Sequence, residues 1–333
     1  MTAQGFIAAA ATLVVAGVSP IVILPLLRRA GAIDHPVPRS SHTSPALRGL
    51  GVSTALALLI GALIAFLSAA VTGSALLLAA VLTAVASAAL GLTEDIRGIR
   101  ITTRIVVQLA VGAVGSIVIV TMTQGPWWVS VVGALAVVAS INVCNFMDGV
   151  DGLSGMNAAV FGAAYTVLGW IIGSDWLVLA GAMVAIAYLA FLPWNLASRG
   201  FLGDSGSYLL GGVVAAMGIG AVSLGAPILA VVAPMAIYLA DTGFTLVRRV
   251  LRGEKWHQSH RQHTYHQLED LGFSHVRAAL VVTGGTLATS LIGILSLAVV
   301  DPWFIAFPAI LFVCAGYLSL PTLIGRRRNR AVE

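Results

Sequence analysis

Charge is what this sequence has least of. Of its 333 residues, 9% are Asp, Glu, Lys or Arg and 59% are hydrophobic. A soluble chain of that length carries about 25% charged residues, so an ordinary soluble globular protein is excluded. No polar region is long enough to form a separate soluble domain. Cysteine is almost absent: Cys144 and Cys314 both lie in or beside apolar segments, away from each other and from any metal-like spacing. They read as small buried hydrophobes. No basic residue precedes the first apolar run, which argues for a retained helix rather than a cleaved signal peptide. Internal repeats and inverted pairs of broken helices are also missing, and a secondary transporter would be expected to carry the latter.

What is present is a series of apolar runs, each roughly 17–25 residues long, the length that crosses a bilayer as a helix. The expected fold is all-α: one polytopic membrane domain over 1–333 with eleven spans. These fall at roughly 4–27, 51–71, 75–92, 104–122, 127–143, 155–172, 176–193, 207–224, 226–246, 278–298 and 303–324. Linkers such as "TGS" at 72–74 and "GSD" at 173–175 are short enough to make antiparallel hairpins.

All 18 Lys and Arg fall in alternate loops. Basic loops stay in the cytoplasm, so the expected N-terminus is outside and the C-terminus, with its "RRRNR" tail, is cytoplasmic. The acids and imidazoles do not follow from that rule. Eleven of the 13 Asp and Glu, and all seven His, share the basic side; only Asp175 and Asp301 face out. Loops that served orientation alone would not collect both signs of charge.

Five loops, at about 28–50, 93–103, 144–154, 194–206 and 247–277, hold these groups. The first carries Asp34, Arg39, His42 and Arg48, and the second adjacent Glu94 and Asp95. The third, "NVCNFMDGVDGLSG", spaces Asn142, Asn145, Asp148 and Asp151 three residues apart. The fourth, "FLGDSGS", sets Asp204 between glycines, and the fifth reads "EKWHQSHRQHTYHQLED". Carboxylates converging beside Arg and His suit a Mg²⁺–diphosphate site. Mg²⁺ takes one or two protein oxygens plus substrate phosphates and water, and Arg neutralises phosphate, often bidentately. Glycines beside Asp148 and Asp204 let backbone N–H groups approach an anion.

Each loop also has a plainer reading: a turn with topology-setting charges, a solvated helix end paired with Arg97 and Arg100, or a helix N-cap at Asp204. The third loop is too dense in Asn and Asp for a connector and lacks the order of an EF-hand. "GDSGS" matches the nucleophile region of trypsin-like proteases, but that fold is soluble and all-β. The histidines His257, His260, His263 and His266 step by three, and on a straight helix His257 and His266 point apart. A zinc site is therefore disfavoured against phosphate or sugar contacts. Asp241, inside the ninth span, either lines the site or pairs with an arginine such as Arg248.

These residues resemble the polyprenyl-phosphate N-acetylhexosamine-1-phosphate transferases, glycosyltransferase family 4. The family includes the bacterial enzymes that initiate O-antigen, enterobacterial common antigen and teichoic acid linkage, and, more distantly, phospho-MurNAc-pentapeptide transferase. The match runs from Asp34 to about Leu268, with "NVCNFMDGVDGL" and "FLGDSGS" its specific parts. The resemblance implies a cytoplasmic active site in the bacterial inner membrane. It places Asn145 and Asp204 on Mg²⁺, with Mn²⁺ as a substitute. It implies that Asp148 and Asp151 contact the nucleotide sugar, and that Glu94 and Asp95 are the paired acids. Arg104 sits where a lysine usually meets phosphate, and Arg261 and His263 match the motif gripping diphosphate and sugar. Arg39, His42, Arg48, Asn142 and His266 join them as substrate-binding candidates.

Three departures stand out: Glu-Asp in place of Asp-Asp at 94–95, Arg in place of Lys at 104, and Tyr265 within the histidine motif. Tyr265 and His260 point to a sugar other than GlcNAc, such as FucNAc or QuiNAc. The expected reaction moves an N-acetylhexosamine 1-phosphate from a UDP-sugar to undecaprenyl phosphate. Glu94, Asp95 and Asp204 are its expected catalytic groups, Asp95 activating or steering the lipid phosphate. A homodimer is one option, and no nucleic acid is involved. The alternatives are an intramembrane Mg²⁺-dependent prenyltransferase, which would need a second Asp-rich motif, and a secondary transporter.

Overall fold

The computed structural model describes residues 2–34, 46–254 and 260–332. Among them the chain is helical apart from two two-residue strands and connecting turns. The helices are α1 (Ala3–Val18), α2 (Pro20–Arg29), α3 (Val52–Leu67), α4 (Ser74–Arg97), α5 (Ile101–Thr123), α6 (Trp128–Phe146) and α7 (Leu153–Ile171). They continue with α8 (Asp175–Leu196), α9 (Gly203–Ser223), α10 (Ile228–Val232), α11 (Ala236–Leu251), α12 (Thr264–Asp270), α13 (His275–Leu295) and α14 (Pro302–Val332). A helix or helix pair stands at every expected span. Eight are long and apolar enough to cross a membrane, nine if the bent pair α1–α2 is one span. The 16-residue α3 and the 19-residue α7, which buries Asn157, fall outside that set. The protein is a polytopic all-α membrane protein.

Several boundaries differ from the sequence reading, each for a local reason. The first span bends by 45° where Pro20 opens α2. Proline lacks the N–H that would continue the hydrogen-bond ladder. The ninth span is broken into α10, a 3-10 turn at Ala233–Met235 and α11, with Pro234 in the break. The fifth loop is partly helical: α11 runs on to Leu251, and residues 264–270 form α12. The basic tail continues α14 instead of leaving it, since arginine is a good helix former.

At the centre stands α9, the least apolar of the eight long spans and almost wholly buried. It packs against α3, α4, α5 and α6. Its sequence, "GDSGSYLLGGVVAAMGIGAVS", is rich in small residues, and small residues let backbones approach closely where lipid supplies no hydrophobic drive between helices. The approach to α4 is tight: a Cβ at Gly91 would lie 2.2 Å from the Asp204 carbonyl oxygen. This packing fixes the first turn of α9 against the last turns of α4.

The strands pin the first loop to the same place. β1 (Ile33–Asp34) and β2 (Ala46–Leu47) pair antiparallel, Ile33 opposite Leu47. The chain then runs beside the entry to α9. Phe201 N donates to the Leu47 carbonyl, Leu50 N to that of Phe201, and Gly51 N to that of Leu202. Arg48 is thereby held next to Asp204.

Candidate active site

Four of the five polar loops meet at the N-terminus of α9. The first backbone N–H groups of a helix have no partner within it, and here Asp95 from α4 supplies both acceptors. Its Oδ1 accepts from Asp204 N and its Oδ2 from Ser205 N, each at 2.9 Å. The Asp95 side chain has no exposure, and Arg48 Nε lies 2.6 Å from its Oδ1. The same guanidinium reaches Asp204 Oδ1 through Nη2 at 2.7 Å. Asn145, from the last turn of α6, donates its amide to Asp204 Oδ1 at 2.9 Å and to Ser207 Oγ at 3.2 Å. Asp204 is thus the shared vertex. Its side chain is 10% exposed and that of Arg48 32%, so the opening lies on the arginine side.

Glu94, the neighbour of Asp95, points elsewhere. It accepts from Ile99 N and from Arg104 Nη1, the latter at 3.1 Å. The paired acids therefore divide the work: Asp95 caps α9, and Glu94 closes the α4–α5 turn with Arg104. Asn142, one turn before Asn145, faces α5 and donates to Gln108 Oε1 at 2.8 Å. It is not drawn to the Asp204 vertex.

The turn between α6 and α7 holds the other acids. Asp148 is half-buried, and loss of water around its carboxyl pushes its pKa up to about 7, helped by the charges of Asp204, Asp151 and Asp95. Asp151 accepts from Asn195 Nδ2 and Ser198 Oγ, both at 3.3 Å, and lies 3.4 Å from His275 Nδ1. Its carboxyl is thereby tied to the ends of α8 and α13.

The fifth loop docks against this turn. The Tyr265 hydroxyl donates to the Phe146 carbonyl at 2.9 Å. Its ring lies so close to the turn that a Cβ at Gly149 would come 2.2 Å from the hydroxyl oxygen. Tyr265 is 1% exposed. Tyr265, the tyrosine within the histidine motif, thus packs against the acidic turn. His263, also buried, stacks on Phe146 with ring centroids 6.3 Å apart and on Tyr265 at 5.6 Å. His260 and His266 flank it at 4.9 and 6.0 Å. Burial lowers their pKa values to about 4 and about 3, with the neighbouring cationic groups adding to the effect. Arg261 turns to Glu269 at 3.4 Å and Asp270 at 3.7 Å. Among the described residues no three His, Cys, Asp or Glu side chains are arranged to hold a metal.

Arg39, His42 and His257 lie outside the described residues. Asp241 pairs with His263 Nδ1 at 3.2 Å rather than with an arginine. Four further residues enter the site that motif reasoning did not single out. Ser207 follows Asp204 by three residues and so shares its helix face. Asn195 and His275 sit where apolar helices α8 and α13 end and begin. Tyr317, deep in α14, has no local signal at all.

A divalent ion fits these residues. Asp204 offers a carboxylate, and Asn145 is already within hydrogen-bond reach of it. Turning the Asn145 amide by half a rotation presents its oxygen in place of its nitrogen. One carboxylate and one amide oxygen, with the remainder from substrate, is a donor set typical of Mg²⁺.

The first turn of the central helix of this polytopic bundle thus carries a carboxylate–amide–guanidinium cluster. Residues 76–222 match the family described as Glycosyl transferase family 4, a range that contains Glu94, Asp95, Asn145, Asp148, Asp151 and Asp204. The chain is 29% identical over 300 residues to a decaprenyl-phosphate N-acetylglucosaminephosphotransferase of Mycolicibacterium smegmatis, covering 76% of this chain and 72% of that protein. It is 26% identical to a Bacillus subtilis protein named as a probable undecaprenyl-phosphate N-acetylglucosaminyl 1-phosphate transferase, over 88% of this chain and 87% of the relative. An undecaprenyl-phosphate alpha-N-acetylglucosaminyl 1-phosphate transferase of Escherichia coli K12 is 28% identical, over 62% of each chain.

Proposed function

We propose that this protein transfers an N-acetylhexosamine 1-phosphate from a UDP-sugar to undecaprenyl phosphate. An oxygen of the lipid phosphate attacks the sugar-linked phosphorus in line. The bond from that phosphorus to the UMP oxygen breaks, and lipid diphosphate-sugar and UMP result. The observation that carries the reading is the meeting of Arg48, Asp95, Asn145 and Asp204, from four separate loops, at one helix N-terminus. The relatives' named activities support it.

The nucleophile is already an anion, so no proton has to be removed from it. The need is to bring two phosphate groups together and offset their charge. Arg48 lies at the exposed edge of the vertex and suits a phosphate oxygen. Asn145 and Asp204 would hold Mg²⁺, which when bound screens the diphosphate and stabilises the departing UMP. Asp95 spends both oxygens on α9 and Arg48, which suits positioning more than direct contact. Glu94 does the same for Arg104. Asp148, Asp151 and the His263 cluster border the vertex where the nucleotide sugar enters. On α11, Phe244, Val247 and Leu251 are exposed on the face that carries Arg248 and Arg252, chemistry that suits a polyprenyl chain ending in phosphate.

The one-sided distribution of Lys and Arg supports eleven crossings of the bacterial inner membrane, N-terminus outside, with the site facing the cytoplasm. The deciding experiment supplies purified protein with undecaprenyl phosphate and a panel of radiolabelled UDP-N-acetylhexosamines, UDP-GlcNAc first. Label should pass to the lipid, EDTA should stop it and Mg²⁺ should restore it. Lipid that stays unlabelled with every sugar refutes the reading.

A further inference from the structure

Asp241 is a carboxylate inside a membrane span, and it has no exposure. Burying such a group is costly unless it is fully bonded. Here donors from three elements surround it. Its Oδ1 lies 3.1 Å from Thr264 N, 3.3 Å from Thr245 Oγ1 and 3.2 Å from His263 Nδ1. Its Oδ2 lies 3.1 Å from Thr264 N and 2.6 Å from the Tyr317 hydroxyl. Capping α12 does not account for this arrangement. That helix has seven residues, and a serine or asparagine caps a helix as well as an aspartate does. Only a carboxylate accepts from the Thr264 N–H, the tyrosine hydroxyl and an imidazole N–H together.

We propose that Asp241 is a positioning residue, which fixes the ring orientation and tautomer of His263 beside the turn that follows Asn145. The proposal rests on the transfer reaction above. A carboxylate only accepts hydrogen bonds, so the His263 proton resides on Nδ1 and Nε2 is the nitrogen offered to substrate. The ring plane is set by its aromatic neighbours, Phe146 at 6.3 Å and Tyr265 at 5.6 Å and only 7° from parallel. Asp241 fixes the remaining freedom, the half-turn about the Cβ–Cγ bond that keeps the plane and exchanges the Nδ1 edge for the carbon edge. Through Tyr317, α14 takes part in the site although it lies last in the chain.

A double-mutant cycle tests the coupling. Asp241→Asn offers a donor in place of one acceptor and turns the His263 tautomer round. It should lower kcat by about 30-fold, the scale of turning a donor toward substrate where Nε2 had accepted, with the KM for the UDP-sugar changed far less. His263→Gln should cost a similar factor, and the double variant should be no worse than about three-fold below His263→Gln alone. Tyr317→Phe keeps the carboxylate–imidazole pair and should cost less than about ten-fold. Losses that multiply in the double variant would show that Asp241 acts independently of His263 and would overturn the proposal. A second measurement needs neither variant nor turnover. Nitrogen-15 NMR of histidine-labelled protein in detergent should find the His263 proton on Nδ1, and a proton on Nε2 of the neutral ring would also overturn it. If the wild type labels no lipid with any UDP-sugar, the reaction reading fails, while the NMR result still decides whether Asp241 holds His263.

Discussion

Replacing Asp95 by Asn asks whether a fully buried acid beside a reaction centre works by touching substrate or by holding the centre together. The side chain accepts three hydrogen bonds: two from backbone N–H groups of α9 at 2.9 Å and one from Arg48 Nε at 2.6 Å. Asparagine keeps one acceptor atom and turns an NH₂ group toward donors on the other side. One charge-assisted bond is lost, about 1.5–3 kcal/mol, and a buried N–H is left facing another donor, about 1–3 kcal/mol. Arg48 is partly exposed and retains Asp204, so its lost partner adds little. The sum is about 2.5–6 kcal/mol of destabilisation, which brackets the cost of breaking a buried ion pair. Denaturant titration in detergent, followed by tryptophan fluorescence, measures it beside transfer activity. The expectation is a clear loss of stability accompanying the loss of transfer, with Arg48→Ala showing a smaller version of both. Abolished transfer with unchanged unfolding would refute the positioning argument and return Asp95 to direct contact with phosphate.

Three further outcomes are expected. Asp204→Ala should lower sugar-phosphate transfer at least about 100-fold while the protein still elutes as a folded species in detergent; near-normal turnover would remove Asp204 from the mechanism. Gly149→Ala should destabilise the protein by about 1–3 kcal/mol through the clash with the Tyr265 hydroxyl, and Tyr265→Phe in the same chain should recover part of that loss, as read by thermal unfolding. Asp148 has a raised pKa, near 7 in the folded protein, so its ionisation opposes folding. Its contribution is fully present below about pH 4, the unfolded value, and is lost as pH rises through 7. Asp148→Asn should therefore raise the apparent Tm of the substrate-free protein above pH 7, and the gain should shrink as pH falls toward 5.

The helices were legible because apolar runs of spanning length carry their own signal, and every expected span holds a helix. The breaks at Pro20 and Pro234 were missed because each apolar run continues across its proline. The polar loops were legible as groups, since Asn145, Asp148 and Asp204 are conspicuous between greasy segments. Their internal assignments were not. Nothing local distinguishes Glu94 from Asp95, yet one closes a turn and the other caps a helix more than a hundred residues later in the chain. Tyr265 looked like a specificity residue because it departs from a pattern of histidines, while its burial against Gly149 depends on how two distant loops dock. Tyr317 was invisible for a related reason: its partner, Asp241, is reached only through the packing of α14 on α11.

The enclosure of α9 bears on how the chain is made. A segment with six glycines, an acid in its first turn and almost no exposed side is a poor client for insertion by itself. Its polar entry turn becomes tolerable only once Asp95, Arg48 and Asn145 are there to meet it. All three belong to segments synthesised earlier, so the ribosome delivers the receptacle before the helix that fills it. Truncated nascent chains ending just after α9 should thus integrate stably, whereas α9 fused behind an unrelated leader should slip back to the aqueous side.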